Sequence, residues 1–145
     1  MLNIRKMLKI STRKTILIIF FLLASPSLAN ASTITVNNQC NIVDAMISAE
    51  NNVSVGGCSS GSGSDVVLLS QDVTVSSEYG LTGNAFPVIT EPLVLDLGSH
   101  TLTHQNVSLN PVRLFEVSSS TLTLKNGTIN YSASASSPRQ NAGVI

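Results

Sequence analysis

Leu93-Val94-Leu95-Asp96-Leu97-Gly98-Ser99-His100-Thr101-Leu102-Thr103 is the stretch that decides the fold. Leucines at 93, 95 and 97 alternate with Val94 and Asp96, the two-residue period of a strand with one buried face. Leu114-Phe115-Glu116-Val117 and Thr121-Leu122-Thr123-Leu124 do something similar. A shift of twenty residues lays residues 96–103 on Glu116-Val117-Ser118-Ser119-Ser120-Thr121-Leu122-Thr123, with four of eight positions identical. Asp96/Glu116 and Leu97/Val117 are conservative pairs in the same alignment.

Such a period of short strands and small polar turns fits a solenoid whose coils stack on one another. A leucine-rich repeat has a similar period, but its Leu-x-x-Leu-x-Leu spacing with a recurrent Asn is absent. The expected fold is therefore an all-β solenoid: a right-handed parallel β-helix with a short N-terminal capping α-helix. Leu95, Leu97 and Leu102, followed by Phe115, Val117 and Leu122, are expected to form inward apolar ladders. Outward Ser and Thr would meet water, with Asn and Gly at the corners.

Upstream, Thr33-Ile34-Thr35-Val36, Val66-Val67-Leu68-Leu69 and residues 72–75 read as short strands, and residues 76–92 as a longer excursion. Gly56-Gly57-Cys58-Ser59-Ser60-Gly61-Ser62-Gly63-Ser64 is too glycine-rich for a regular element. Residues 41–51 form the helical stretch, with Ile42, Ala45, Met46 and Ala49 at helical spacing. Asn41 is placed to cap it, and Asp44 three residues later favours the positive end of the helix dipole. A β-helix needs a lid because its first coil exposes apolar side chains and free strand edges. This helix is well placed to be that lid.

The chain has 145 residues, 43% of them hydrophobic and 11% charged. Five of its eight Lys and Arg residues precede Thr15. Residues 32–145 hold three cations against all eight acids, a net charge of −5, which argues against nucleic-acid binding. Residues 1–31 read as a secretory signal peptide: a basic start, the nine-residue apolar run Ile16-Leu17-Ile18-Ile19-Phe20-Phe21-Leu22-Leu23-Ala24, then small residues. A run of that length spans roughly 14 Å as a helix, about half the hydrocarbon thickness of a bilayer. Cleavage after Ala29 or Ala31 is expected to leave residues 32–145 with no transmembrane span, and an uncleaved anchor is the competing reading.

Cys40 and Cys58 are the only cysteines. An even count in an oxidising compartment points to a disulfide, worth about 3 kcal/mol for so short a loop in the chain-entropy picture. Two buried free thiols are the competing state. Two cysteines without paired spacing and two histidines cannot complete a zinc shell, so neither metal nor other cofactor is expected.

Cys40-Asn41-Ile42-Val43-Asp44-Ala45-Met46, Ala49-Glu50-Asn51 and the run from Gly56 through Leu68 resemble the opening of a family of exported bacterial β-helix proteins. Members of that family begin with a Cys-Ser-Leu-Arg-Glu-Ala-Ile type motif. A second Cys follows before a Gly-rich turn, an Asp and an apolar strand. Asn84-Ala85-Phe86-Pro87-Val88-Ile89, Arg113-Leu114-Phe115-Glu116-Val117 and Thr121-Leu122-Thr123-Leu124-Lys125-Asn126-Gly127-Thr128-Ile129 are similar to later segments of the family. The resemblance spans about residues 34–145 and implies polymorphic, adhesin-like proteins of the periplasm, outer membrane or exterior. Val43 stands where the family has Arg. Gly143-Val144-Ile145 stands where relatives begin further coils, which implies a truncated frame, a split gene, or a subunit stacking on coils of another chain.

Polysaccharide-active enzymes also use β-helices, and their chemistry needs clustered carboxylates with Arg or Lys. Under the twenty-residue offset, Asp96 and Glu116 would face outward from adjacent coils about 5 Å apart, able to share a cation or touch a sugar. A solvated pair on an outer face is the plainer reading. Gly61-Ser62-Gly63-Ser64-Asp65 matches a calcium-binding β-helix repeat only in part and only once. His100 and His104 read as exposed turn histidines. Asn52, Asn106, Asn126 and Asn130 begin sequons, which matter only in a eukaryotic secretory pathway.

The sequence thus points to a non-enzymatic exported β-helix module, adhesin-like, with a cell-surface or carbohydrate ligand. A fragment of a polysaccharide-active enzyme and a truncated product without function of its own are the alternatives.

Overall fold

The computed structural model describes residues 30–106 and 112–133. Residues 1–29, 107–111 and 134–145, which include most of the expected signal peptide, lie outside the described residues. Seven strands and one helix follow in order: β1 Thr33–Val36, α1 Ile42–Asn51, β2 Asp65–Leu69, β3 Val73–Val75, β4 Leu93–Asp96, β5 Thr101–Asn106, β6 Leu122–Lys125 and β7 Thr128–Ala133.

All strand pairs are parallel and form two sheets, β1-β2-β4-β6 and β3-β5-β7. Isolated parallel bridges, Asn84 to Arg113 and Ile89 to Val117, make a third face. The coils that begin at β2 and β4 run through the first sheet, a corner, the second sheet and the third face before returning. The chain is a parallel β-helix of about three turns, with a small helix at its start.

Strand alternation builds the core. Ile34, Val67, Leu95 and Leu124 stack in one inward ladder of the first sheet, and Val36 on Leu69 in another. The second sheet adds Val73, Leu102 and Ile129. On the third face the rings of Phe86 and Phe115 stack with centroids 5.3 Å apart. Leu95, Leu97, Leu102 and Phe115 are buried, Leu122 is partly buried and Val117 is 39% exposed.

The coil is longer than the sequence offset suggested. Leu93 pairs with Leu122, 29 residues on, Asp65 with Leu93, 28 on, and Thr101 with Thr128, 27 on. The twenty-residue shift aligned Thr101-Leu102-Thr103, which opens β5 in the second sheet, with Thr121-Leu122-Thr123, which opens β6 in the first. Both segments need a buried Leu between outward Thr, so their likeness reflects strand alternation rather than equivalent places in successive coils.

Corner length changes from coil to coil. Ser70–Asp72 joins β2 to β3, residues 97–100 join β4 to β5, and only Asn126 and Gly127 join β6 to β7. Gly98, Ser99 and Asn126 take positive φ there, at 56°, 70° and 60°.

In the first coil α1 follows β1, and its packing is against β1 and β2. The Asn41 side chain accepts from Asp44 N–H at 2.9 Å, and Asn41 Nδ2 donates to Asp44 Oδ2 at 2.6 Å. Asn52, at φ 54°, ends the helix in the left-handed conformation. Ile42, Ala45, Met46 and Ala49 are buried in the core, as helical spacing expected. Ser48, also buried, accepts at its carbonyl from Gly61 N–H at 3.1 Å. A Cβ at Gly61 would stand 2.8 Å from that carbonyl oxygen, so the loop lies against the helix only with glycine there.

Cys40 and Cys58 form a disulfide with their Cα atoms 4.7 Å apart, fastening the start of the helix to the loop that leaves it. Glu50 reaches forward from the other end: its Oε2 accepts from Thr90 N–H at 2.8 Å and Thr90 Oγ1 at 2.9 Å. Val43 packs against the core.

Removing the disulfide with Cys40→Ala/Cys58→Ala lowers unfolding stability by about 2–4 kcal/mol. Leu95→Ala costs about 2–5 kcal/mol, because it opens a cavity in the middle of a ladder. Thr123→Ala, on the outward side of β6, changes stability by less than about 0.5 kcal/mol. Urea denaturation of the three variants beside the parent checks the order.

Candidate functional site

Strand register separates the acid pair that the sequence offset brought together. Asp96 pairs with Leu68 below and Lys125 above, on the outer face of the first sheet. Glu116 stands on the third face, between the two bridged positions Arg113 and Val117. The expectation of Asp96 and Glu116 on adjacent coils is therefore corrected: each belongs to its own cluster.

In the first cluster Asp96 Oδ1 accepts from Gly98 N–H and Asn126 Nδ2, both at 3.0 Å, and Lys125 Nζ lies 3.3 Å from Oδ2. The Gly98 N–H above all, then the Asn126 amide and Lys125, hold the Asp96 carboxyl below the usual carboxylate range, against a smaller desolvation effect. In the second, Glu116 Oε2 accepts from the buried Asn84 Nδ2 at 2.7 Å and from Arg113 Nη2 at 2.9 Å.

The remaining carboxylates follow the same pattern. Asp65, 1% exposed, accepts from Ser32 N–H at 2.9 Å, Ser32 Oγ at 2.8 Å and Ser62 N–H at 2.9 Å. The Gly-Ser loop that partly matches a calcium repeat is thus folded around a carboxylate already held by hydrogen-bond donors. Asp72 Oδ1 accepts from Thr101 N–H at 2.8 Å and lies 3.4 Å from His100 Nδ1. Glu78 accepts from Gly83 N–H. With Asp44 and Glu50 in and around the cap, every acid except Glu91 has a side-chain oxygen engaged in holding a turn, a cap or a coil contact. Among the described residues no group of three or more His, Cys, Asp or Glu could hold a metal ion.

The two histidines are not the equivalent exposed turn residues that the sequence suggested. His100 does lie in a corner, beside Asp72. His104 is buried at 2% exposure, on the inward side of β5 with Leu102 two residues before it. It sits between Val75 and Tyr131 in register, its ring edge-on to Tyr131 at 5.4 Å. Its parity with Leu102 was the signal available in the sequence.

The outer side of the second sheet has a different character. No Asp, Glu, Lys or Arg occurs in β3, β5 or β7. Register places Thr74, Thr103 and Asn130 in one outward row, Thr101 and Thr128 in a second, and Gln105 and Ser132 in a third. Neighbours within a row stand about 4.8 Å apart and rows about 6.6 Å apart, so the three strands present a grid of hydroxyl and amide groups, bordered beside Thr101 by the exposed carboxylate of Asp72. An open cavity of about 350 Å³ flanks this sheet, between the start of α1 (Asn41, Ile42, Val43) and β3 with its following Ser76 and Ser77. Sequence reading saw outward Ser and Thr in general. It missed the charge-free sheet because β5 and β7 were not separated from their neighbours.

Comparisons with protein-family profiles, curated proteins and solved structures gave no match. Among the described residues no helix is long and apolar enough to cross a membrane.

Two ionisations give stability distinct pH dependences. Burial holds the His104 imidazole below its ordinary value, so below about 6.5 the unfolded chain binds a proton that the folded chain refuses. Its effect is absent above that pH, and stability falls as pH drops from about 6.5 toward the depressed folded value. Asp96 acts lower: its depressed pKa adds stability above about 4, lost as pH falls through the folded value. Thermal melts from pH 8 to 3 should show both declines, with His104→Leu flattening the upper one and Asp96→Asn the lower.

Proposed function

We propose that this chain is the capped N-terminal module of an exported, non-enzymatic β-helix protein, adhesin-like, that holds a neutral hydroxyl-rich surface against its second sheet. The observation that carries this reading is the charge-free outer grid of β3, β5 and β7. Uncharged sugar hydroxyls can exchange hydrogen bonds with Thr, Asn and Gln side chains there without the desolvation cost of burying an ion.

Two further features support it. The carboxylates are held by structural donors, and the Glu116–Arg113 and Asp96–Lys125 pairs neutralise each other, which leaves little for acid–base chemistry. A disulfide-bonded cap suits an oxidising compartment, in keeping with the signal-peptide order of residues 1–31 and the family resemblance.

The chain should be retained on immobilised neutral polysaccharide and should release no soluble sugar from it. Thr103→Lys places a strongly hydrated charge at the centre of the grid and should weaken retention at least about tenfold, equivalent to about 1.4 kcal/mol, with an unchanged melting temperature. Equal retention of parent and variant would remove this sheet from the reading. Sugar release abolished by Glu116→Gln would replace it with a polysaccharide-active enzyme centred on the third face.

A further inference from the structure

The outward rows of the second sheet cross its strands, and so run along the axis of the stack. The central row, Asn130, Thr103 and Thr74, has its last member on β3, whose only strand partner among the described residues is β5. The first sheet has one more strand at this end, β1, but the chain leaving β1 turns into α1 instead of forming a second-sheet strand. The open cavity of about 350 Å³ lies at that place, lined by Val36 and Asn37 at the end of β1, by the start of α1 and by residues 71–77. Thr74 belongs both to the row and to the cavity wall. A sugar chain laid along the row meets, beyond Thr74, a recess backed by α1 rather than another outward strand.

The backing of the recess is fixed in place. Asn37 Oδ1 accepts from Gln39 N–H at 2.8 Å and Cys40 N–H at 3.0 Å, and Cys40 is bonded to Cys58. The lining suits a sugar ring, which has apolar C–H faces and a hydroxyl edge. Val43 and Val73, both half-buried, offer apolar surface, while Asn37 and Gln71 bring amides. Asp72 is the one charged residue among those lining the cavity, and its side chain is 76% exposed. A carboxylate accepts a hydroxyl hydrogen bond more strongly than a neutral oxygen does. The last unit of a polysaccharide carries a free hydroxyl where an internal unit carries its next linkage.

Resting on the sugar-binding reading above, we propose that this recess is the terminal subsite of the central row and takes the end unit of a neutral polysaccharide chain. Its ring face lies against Val43 and Val73, and its extra hydroxyl donates to Asp72. The module then selects chain ends over chain middles, because a chain continuing past Thr74 runs into α1.

Competition separates this subsite from the broader reading. The full chain is held on immobilised neutral polysaccharide and displaced by the same polysaccharide in solution, before and after partial hydrolysis. Cutting the mean chain length about fourfold should raise its potency about fourfold at equal sugar mass, since the number of ends rises in proportion. Ser76 is exposed on the cavity wall, so Ser76→Trp puts an indole into the recess without entering the core. This variant should lose the gain on hydrolysis and keep the parent's melting temperature. Potency that stays level or falls on hydrolysis, with retention still weakened by Thr103→Lys, would overturn the terminal subsite and leave the sheet as a sugar surface. A gain that persists in Ser76→Trp would also overturn it, by placing end recognition elsewhere. Absence of retention on any neutral polysaccharide would instead remove the sugar reading and the subsite together.

Discussion

A strand pairs in parallel with the next member of its sheet only after the chain has travelled the whole way round. That constraint governs this molecule. Leu95 can stack on Val67 only if everything between them, a corner, a second strand and the third face, returns the chain at the right height and with the right parity. A slip of one residue would turn an inward leucine to solvent. The coil therefore needs fixed points, and the structure supplies them at its corners: Gly98, Ser99 and Asn126 reverse direction with positive φ, and the carboxylates of Asp72 and Asp96 clamp the turns around them.

The same constraint explains the scarcity of free acid. A coil built mostly from Ser, Thr, Asn and short aliphatic residues has few strong acceptors for turn N–H groups. Ionised carboxylates make the stronger hydrogen bonds. Asp65 shows the arrangement at its most buried, with Ser32 and Ser62 converging on one carboxylate where the end of the Gly-Ser loop meets β2. Glu50 does a similar job over a longer reach, coupling the cap to the third face of the next coil through Thr90 and Glu91. These residues resemble catalytic candidates only while their partners are unknown.

That difference marks how far the sequence could be read. The helix, its Asn41 cap, its buried face and the short strands at β1 to β4 were legible, because capping and periodicity act within a few residues. The parallel solenoid was legible from alternation broken by small polar corners. The coil period was not, because corners of three, four and two residues spoil any constant shift. With the period wrong, Asp96 was set against Glu116 instead of Lys125, and Leu102 was matched to Leu122 instead of Ile129. His104 was misread for a related reason: in a strand not recognised as such, the parity that turns it inward beside Leu102 carries no meaning.

The two ends of the described stack differ physically. At the first coil, α1 lays Ile42, Ala45, Met46 and Ala49 over the core, and the disulfide prevents that lid from separating from the loop beneath it. At the other end two inward rows become more exposed at their last described members. Ile34, Val67 and Leu95 are fully buried while Leu124 above them is 43% exposed, and His104 is buried while Tyr131 above it is 42% exposed. Burial in a solenoid comes from the neighbouring coil rather than from a common centre. Those two rows therefore favour an apolar residue in the next position, whereas at the first coil the helix already covers the ladder ends.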